Sequence, residues 1–199
     1  MPQYREYQQG YILQDDRNEP TWIFGYGSLM WQPGFPYLEA HPALLEGYHR
    51  ALCIYSHRYR GTPEKPGLVL GLDRGGSCRG RAFLLRGSDV ADVMAYLHDR
   101  EMITNAYDPT FLEVALDDGR TARAYNFIVR NDHPQYTGRI SRQEAARLVL
   151  QGRGERGTAM EYLQNTLDHL AEIGIVEEEL EKICEAAKKR LNADSGTAW

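Results

Sequence analysis

The sequence predicts an α+β fold, strands first and helices after, on three observations. From Trp22 to Glu144 the chain is punctuated by Gly, Pro and short apolar runs, one Asp-Gly pair separates two strand patterns, and beyond Tyr136 the apolar residues take a helical period. Helices are then expected to cover one side of a strongly curved sheet or barrel.

Taken in order, residues 1–20 are polar and aperiodic, and are expected to form an arm whose order depends on docking. Residues 21–191 make a single domain and 192–199 a tail. Trp22-Ile23-Phe24, Ala51-Leu52-Cys53-Ile54-Tyr55, Leu68-Val69-Leu70 and Ala82-Phe83-Leu84-Leu85 read as strands. Val90, Met94 and Leu97 fall at i, i+4 and i+7 behind Ser88-Asp89, which predicts a helix with one apolar stripe. Phe111 to Leu116 and Ala124 to Val129 flank Asp117-Asp118-Gly119-Arg120, where Asp-Gly supplies the positive φ angles of a tight hairpin. Ser141-Arg142-Gln143-Glu144 and Thr158-Ala159-Met160-Glu161 are capping boxes, each opening a helical pattern. Leu163, Leu167 and Leu170 line one face, Gly174 breaks it, and Leu180, Ile183, Ala187 and Leu191 continue on a final charged helix. An amphipathic helix of this kind covers its own sheet, so a monomer is expected.

Composition narrows the function classes. A chain of 199 residues, 42% hydrophobic and 26% charged, suits one compact soluble domain. No apolar run approaches the ~18 residues of a membrane span. Met1-Pro2-Gln3-Tyr4-Arg5-Glu6 has no apolar signal-peptide core behind it, so no membrane partner and a cytoplasmic location are expected. The net charge of -5, with basic residues scattered, lacks the Lys/Arg stripe that nucleic acid requires. Cys53, Cys78 and Cys184 are far apart and free of any CxxC, which predicts reduced packing thiols. The six histidines, His41, His49, His57, His98, His133 and His169, are dispersed and outside any HExxH, so no metal site is expected. Gly152-Arg153-Gly154-Glu155-Arg156-Gly157 matches GxGxxG but follows a helix pattern rather than a strand, which makes it a loop between helices. Neither a GxxxxGK[ST] phosphate loop nor a GxSxG elbow is present.

Phe24-Gly25-Tyr26-Gly27-Ser28-Leu29-Met30-Trp31 is the most unusual segment. It reads either as a turn at a strand end or as an approach site, where glycines let a ligand near the backbone and successive N–H groups form a nest for a carboxylate or oxyanion. Glu101 extends the series 90, 94, 97, so a continuing helix turns its carboxylate along the apolar stripe, and a helix that frays there leaves it solvated. If buried, its pKa rises toward neutrality while Arg100 opposes the shift. Tyr107 and Tyr125 bring polar tips to apolar settings, and Arg58, Arg60 and Arg100 are candidate carboxylate clamps.

Three ordered segments, Tyr26-Gly27-Ser28-Leu29, Arg60-Gly61-Thr62-Pro63-Glu64-Lys65-Pro66-Gly67 and Tyr96-Leu97-His98-Asp99-Arg100-Glu101, resemble the motifs of the ChaC-like γ-glutamylcyclotransferases. The likeness runs from about Trp22 to Leu191 and takes in Gly152-Arg153-Gly154 and Glu161-Tyr162-Leu163. It implies a small mixed-barrel α+β fold with helices packed on one side. It also implies cleavage of glutathione, a small-molecule substrate, to 5-oxoproline and cysteinylglycine without any cofactor. The resemblance puts the γ-glutamyl group against Tyr26, Gly27, Ser28 and Leu29 and gives acid–base chemistry to Glu101; beside these, Met30, Trp31, Arg60, Tyr107 and Tyr125 are expected as further binding residues. Where the best-known members place two glycines before the following tyrosine, this chain reads Met102-Ile103-Thr104-Asn105-Ala106-Tyr107, a form similar to the bacterial branch. Other γ-glutamyl amino acids or amines stay open as substrates, and a non-catalytic γ-glutamyl-binding regulator stays open as a different class.

Overall fold

The computed structural model describes residues 19–195. The arm expected over 1–20 lies outside these residues except for its last two positions, and so does the tail beyond 195. Five strands, β1 (Thr21–Gly25), β2 (Glu39–Ser56), β3 (Gly67–Leu85), β4 (Tyr107–Leu116) and β5 (Thr121–Val129), close into a barrel in the order β1-β3-β2-β4-β5. Neighbours are antiparallel except where β1 meets β5 in parallel and seals the barrel. Helix α1 (Val90–Glu101) connects β3 to β4, and α2 (Arg142–Gln151), α3 (Ala159–Glu172) and α4 (Glu178–Ser195) follow the barrel. A two-residue ladder of β6 (Arg153–Gly154) and β7 (Gly157–Thr158) joins α2 to α3.

The four short strand runs of the sequence belong to fewer, longer elements. Two of them, at Ala51 and Leu68, are ends of β2 and β3, which pair over almost their full 18 and 19 residues. The segments between, around Glu46 and Ser77, are exposed and polar, and the backbone ladder rather than an apolar pattern holds them. Register shifts at Glu46/Tyr48 and Leu52/Ile54 bend this ribbon into the barrel. The hairpin forms at Asp117 to Arg120, with a single positive φ, 87° at Gly119, rather than the pair expected.

Three packed clusters hold the domain. Strand residues alone, among them Phe24, Leu72, Ala82, Val114 and Ala124, form one. Ile23, Phe83, Leu85, Tyr125 and Phe127 meet Val93, Met94 and Leu97 of α1 in the second. In the third, Leu68 and Leu70 of β3 face Leu148, Leu163, Leu170 and Ile183, so α2, α3 and α4 cover one side of the barrel. Thr158 makes a full capping box with Glu161. Ser141 makes half of one, because Glu144 turns to Arg147 instead. Leu191 is 53% exposed, so the apolar stripe of α4 ends at Ala187. Cys53, Cys78 and Cys184 are buried and unpaired, and burial pushes the Cys78 thiol up to about 11, as packing residues require. Among the described residues no helix is long and apolar enough to cross a membrane.

One charge lies between the barrel and its helical cover. The Arg50 side chain is fully buried on β2, where its Nε donates to Tyr26 O at 2.5 Å and its Nη2 to Arg79 O at 2.6 Å. Its Nη1 pairs with the Glu177 carboxylate just ahead of α4. Removing one partner of such a pair strands the other, which costs about 3 kcal/mol or more. Glu177→Gln is therefore expected to lower the urea midpoint by an amount corresponding to about 3 kcal/mol, with the slope m unchanged; a shift near zero would show that solvent already screens the pair.

Candidate active site

A cavity of about 530 Å³ opens between the end of β1, the β2–β3 connection, the C-terminus of α1 and α3. Tyr26, Gly27, Ser28 and Leu29 form one wall. Tyr26 is anchored from both ends, its hydroxyl donating to Phe127 O at 3.2 Å and its carbonyl accepting from Arg50. The next residues coil into a 3-10 turn, Ser28–Met30, which the Met30 N–H closes on Gly27 O at 2.9 Å. The amides of Gly27, Ser28 and Leu29 precede that bond, and among the described residues they have no backbone acceptor. Leu29 borders the cavity, but Met30 turns the opposite way into the core under α2 and α3, contrary to its expected place. Trp31 stands at the cavity edge, stacked on His169 at 4.6 Å.

The opposite wall carries Glu101. The buried stripe of α1 continues to this last helical residue, as the spacing predicts, and the side chain is 24% exposed at the cavity. Burial raises the Glu101 carboxyl above its usual range, while Arg100, and to a smaller extent Arg156, pull it back. Arg100 Nε lies 3.2 Å from Glu101 Oε1. The same guanidinium donates through Nη2 to Ser28 Oγ at 2.7 Å and through Nη1 to Gln32 O at 3.1 Å and the Tyr96 hydroxyl at 2.9 Å. One planar cation thus ties the carboxylate of α1 to the turn that follows β1.

Tyrosines close the floor. The Tyr107 hydroxyl donates to Leu70 O at 3.0 Å, and the Leu70 N–H donates to the Tyr162 hydroxyl at 3.3 Å. Both backbone groups of Leu70 therefore point out of the β2–β3 ladder and end on phenol oxygens. Burial holds Tyr26 and Tyr107 far above the ordinary phenol value and pushes Tyr162 up to about 12, so all three are neutral hydrogen-bonding groups. Tyr125 is not among the cavity residues. It shares a strand face with Phe127, but it lies deeper under α1, and its hydroxyl and His98 Nε2 share a hydrogen bond of 2.6 Å.

Arg60 reaches the cavity wall, yet its Nη1 is committed to Arg156 O at 2.5 Å and Thr158 O at 3.3 Å. Arg58 pairs with Glu155 on the surface. The glycines of the GxGxxG-like loop have a packing role: a Cβ on Gly154 would strike the backbone at Arg58 and Tyr59, and one on Gly152 would strike Gly67 and Arg60 O. This close approach carries Arg156 to the cavity rim and α3 residues Tyr162 and Asn165 to its wall; the resemblance took in the Tyr162 segment without giving it a role, and Arg156 and Asn165 had no direct sign in the sequence. The faint sign was that the two glycine-bearing segments, near Gly67 and Gly152, are complementary in having no side chain.

Comparison with known proteins agrees across the chain. The model of the family described as ChaC-like protein matches residues 21–190. The chain is 38% identical over 172 residues to a glutathione-specific gamma-glutamylcyclotransferase of Escherichia coli (strain K12), covering 86% of this chain and 74% of that one. Against glutathione-specific gamma-glutamylcyclotransferase 1 of Rattus norvegicus it is 33% identical over 186 residues, covering 89% and 83%. The fold matches the crystal structure of a selenomethionine-labelled γ-glutamyl cyclotransferase specific to glutathione from yeast, with a TM-score of 0.78 at 23% identity over 86% of this chain and 97% of that one.

Because folding raises the Glu101 pKa, the folded protein keeps a proton that the unfolded chain has released between the two values. Stability therefore falls as pH rises through that window and stays reduced above it. Glu101→Gln is expected to melt at a higher temperature than wild type at pH 7, with the difference vanishing below the ordinary carboxylate value of ~4.3. In a ¹³C-detected titration the Glu101 carboxyl should titrate above that value, and Arg100→Gln should move it further up, since desolvation then acts with less opposition.

Proposed function

The chain belongs to the ChaC-like family, and on that premise we propose that its cavity cyclises glutathione, releasing 5-oxoproline and cysteinylglycine. The substrate carries its own nucleophile. Its α-amine attacks the γ-carbonyl carbon, a C–N bond closes a five-membered lactam, and the bond to the cysteinyl nitrogen breaks. No water is consumed. At pH 7 about nine in ten α-amines with a pKa near ~8 are protonated and cannot attack. Glu101 takes that proton and returns it to the departing cysteinyl amine.

The observation that carries this reading is the linkage of Glu101 to the glycine-flanked turn through Arg100 across a single cavity. A carboxyl raised by burial is better matched to an amine, and the nearby guanidinium opposes that rise by favouring the ionised form. The free amides of Gly27 to Leu29 face a developing oxyanion or the γ-glutamyl α-carboxylate, and Tyr26, Tyr107 and Tyr162 give the curled chain a rigid, poorly hydrated floor. Of the residues expected at the site, Gly27, Ser28, Leu29, Trp31 and Arg60 join Tyr26, Tyr107 and Glu101 in this proposal, and Met30 and Tyr125 leave it. Three buried thiols without disulfides suit the reducing cytoplasm in which we place the reaction.

Purified protein should convert glutathione to equal amounts of 5-oxoproline and cysteinylglycine, separable by chromatography. Release of 5-oxoproline only from other γ-glutamyl compounds would redirect the assignment to a general cyclotransferase. Glu101→Gln should bind glutathione but lose roughly 10²–10⁴-fold in kcat, and undiminished turnover by that variant would remove Glu101 from the mechanism. Glutathione with its α-amine acetylated should be inert in wild type, because no nucleophile remains.

A further inference from the structure

The cavity wall carries four arginines, Arg58, Arg60, Arg100 and Arg156, against one carboxylate, Glu101. Three of the four are engaged. Arg58 pairs with Glu155, Arg100 with Glu101 and Ser28, and Arg60 donates to two backbone carbonyls. Arg156 differs: among the described residues no carboxylate lies within ion-pair distance of its guanidinium. The group lies over the Tyr59 ring, 4.2 Å from its centroid. Its backbone is nevertheless held at both ends, the N–H donating to Tyr59 O at 3.0 Å and the carbonyl accepting from Arg60 at 2.5 Å, while the neighbouring Glu155 N–H bonds Arg58 O at 2.9 Å. A fixed turn and an aromatic face thus hold a guanidinium at the rim, and among the described residues its donor edge meets no acceptor.

Glutathione has a carboxylate at each end. The α-carboxylate sits beside the attacking amine and must enter with it, next to Glu101 and the turn at Gly27. The glycine carboxylate lies on the leaving group, about two residues or ~7 Å further along an extended chain, and it needs a cation on a different part of the wall. Arg156 sits there, on the β6–β7 turn rather than on β1 or α1, and is close enough to Glu101 for its field to reach that carboxyl.

We propose that the Arg156 guanidinium binds the C-terminal carboxylate of the leaving group, making it a specificity-determining residue for γ-glutamyl peptides that end in a free carboxylate over γ-glutamylamines and peptide amides. This rests on the cyclotransferase reading above. A charge-assisted bond of this kind corresponds to roughly tenfold to a hundredfold in kcat/KM.

The test compares glutathione with glutathione glycinamide, which lacks only the terminal charge, in wild type, Arg156→Ala and Arg156→Lys. Wild type should prefer glutathione by roughly tenfold to a hundredfold, mainly through KM. The ratio should fall to near one in Arg156→Ala and recover in part in Arg156→Lys, which restores charge without the planar fork. Equal turnover of both substrates by wild type, or a wild-type ratio retained in Arg156→Ala, overturns the role of Arg156 while leaving the cyclotransferase reading intact. Absence of 5-oxoproline from either substrate in wild type overturns the cyclotransferase reading, and this proposal with it.

Discussion

The buried guanidinium of Arg50 is the charge on which the barrel, its helical cover and the site wall all converge. A cation out of water is tolerated only when its donors are matched, and here a carboxylate from the approach to α4 and carbonyls from β3 and from Tyr26 supply the match. The bond to Tyr26 O has a geometric consequence. In a trans peptide the carbonyl of Tyr26 and the N–H of Gly27 point in opposite directions, so fixing the first toward Arg50 turns the second away from it. The amides that begin the turn are thus oriented by a charge buried behind them, and they need no hydrogen bond to one another.

Arg100 plays the corresponding part on the other wall with an opposite electrostatic effect. A carboxyl held by burial alone would keep its proton and be a poor base. One paired too well would resemble an ordinary surface glutamate and be too weak an acid–base partner for an amine. At Glu101 desolvation is the larger influence and Arg100 the smaller, which leaves a carboxyl raised but still able to ionise. Because the same guanidinium also grips Ser28 Oγ and Gln32 O, movement of α1 relative to the turn is coupled to a change in the field on Glu101. One side chain therefore couples the position of α1 to the acidity that burial mainly sets.

The features legible in the sequence are those that local periodicity or turn chemistry dictates. The stripe at Val90, Met94 and Leu97 placed Glu101 on the packed side of α1, where it borders the cavity, Asp-Gly marked the hairpin, and Thr158 with Glu161 marked the start of α3. What was not legible depends on partners distant in the chain. The polar middles of β2 and β3 have no apolar alternation to reveal them, because ladder bonds to each other hold them. Residues of a 3-10 turn advance by about a third of a revolution each, so Leu29 and Met30 diverge although both are apolar. The strand pattern from Ala124 to Val129 put Tyr125 in an apolar setting but did not show its depth under α1, where it meets His98. The arrival of Arg156 and Tyr162 follows from backbone-to-backbone packing at Gly152 and Gly154, a contact whose only trace in sequence is the lack of a side chain.

That packing also explains how one cavity divides its tasks. The groups assigned to the reacting centre stand on the turn after β1, on α1, on β4 and on α3, and the Arg50 and Arg100 bonds tie that turn to the barrel and to α1. Arg156, proposed to face the leaving group, stands on the β6–β7 turn, which meets the 58–60 segment through backbone bonds, the Arg60 side chain, the Arg58–Glu155 pair and the Arg156–Tyr59 contact. The backbone bonds of residue 156 to Tyr59 and Arg60 do not depend on its side chain, so the course of the turn does not rest on the guanidinium alone. The link that survives is electrostatic, since removing a cation from this rim lets burial raise the Glu101 carboxyl further. The proposed discrimination between leaving groups thus rests on a turn that is separate from the helix and the strands that hold Glu101 and Tyr107.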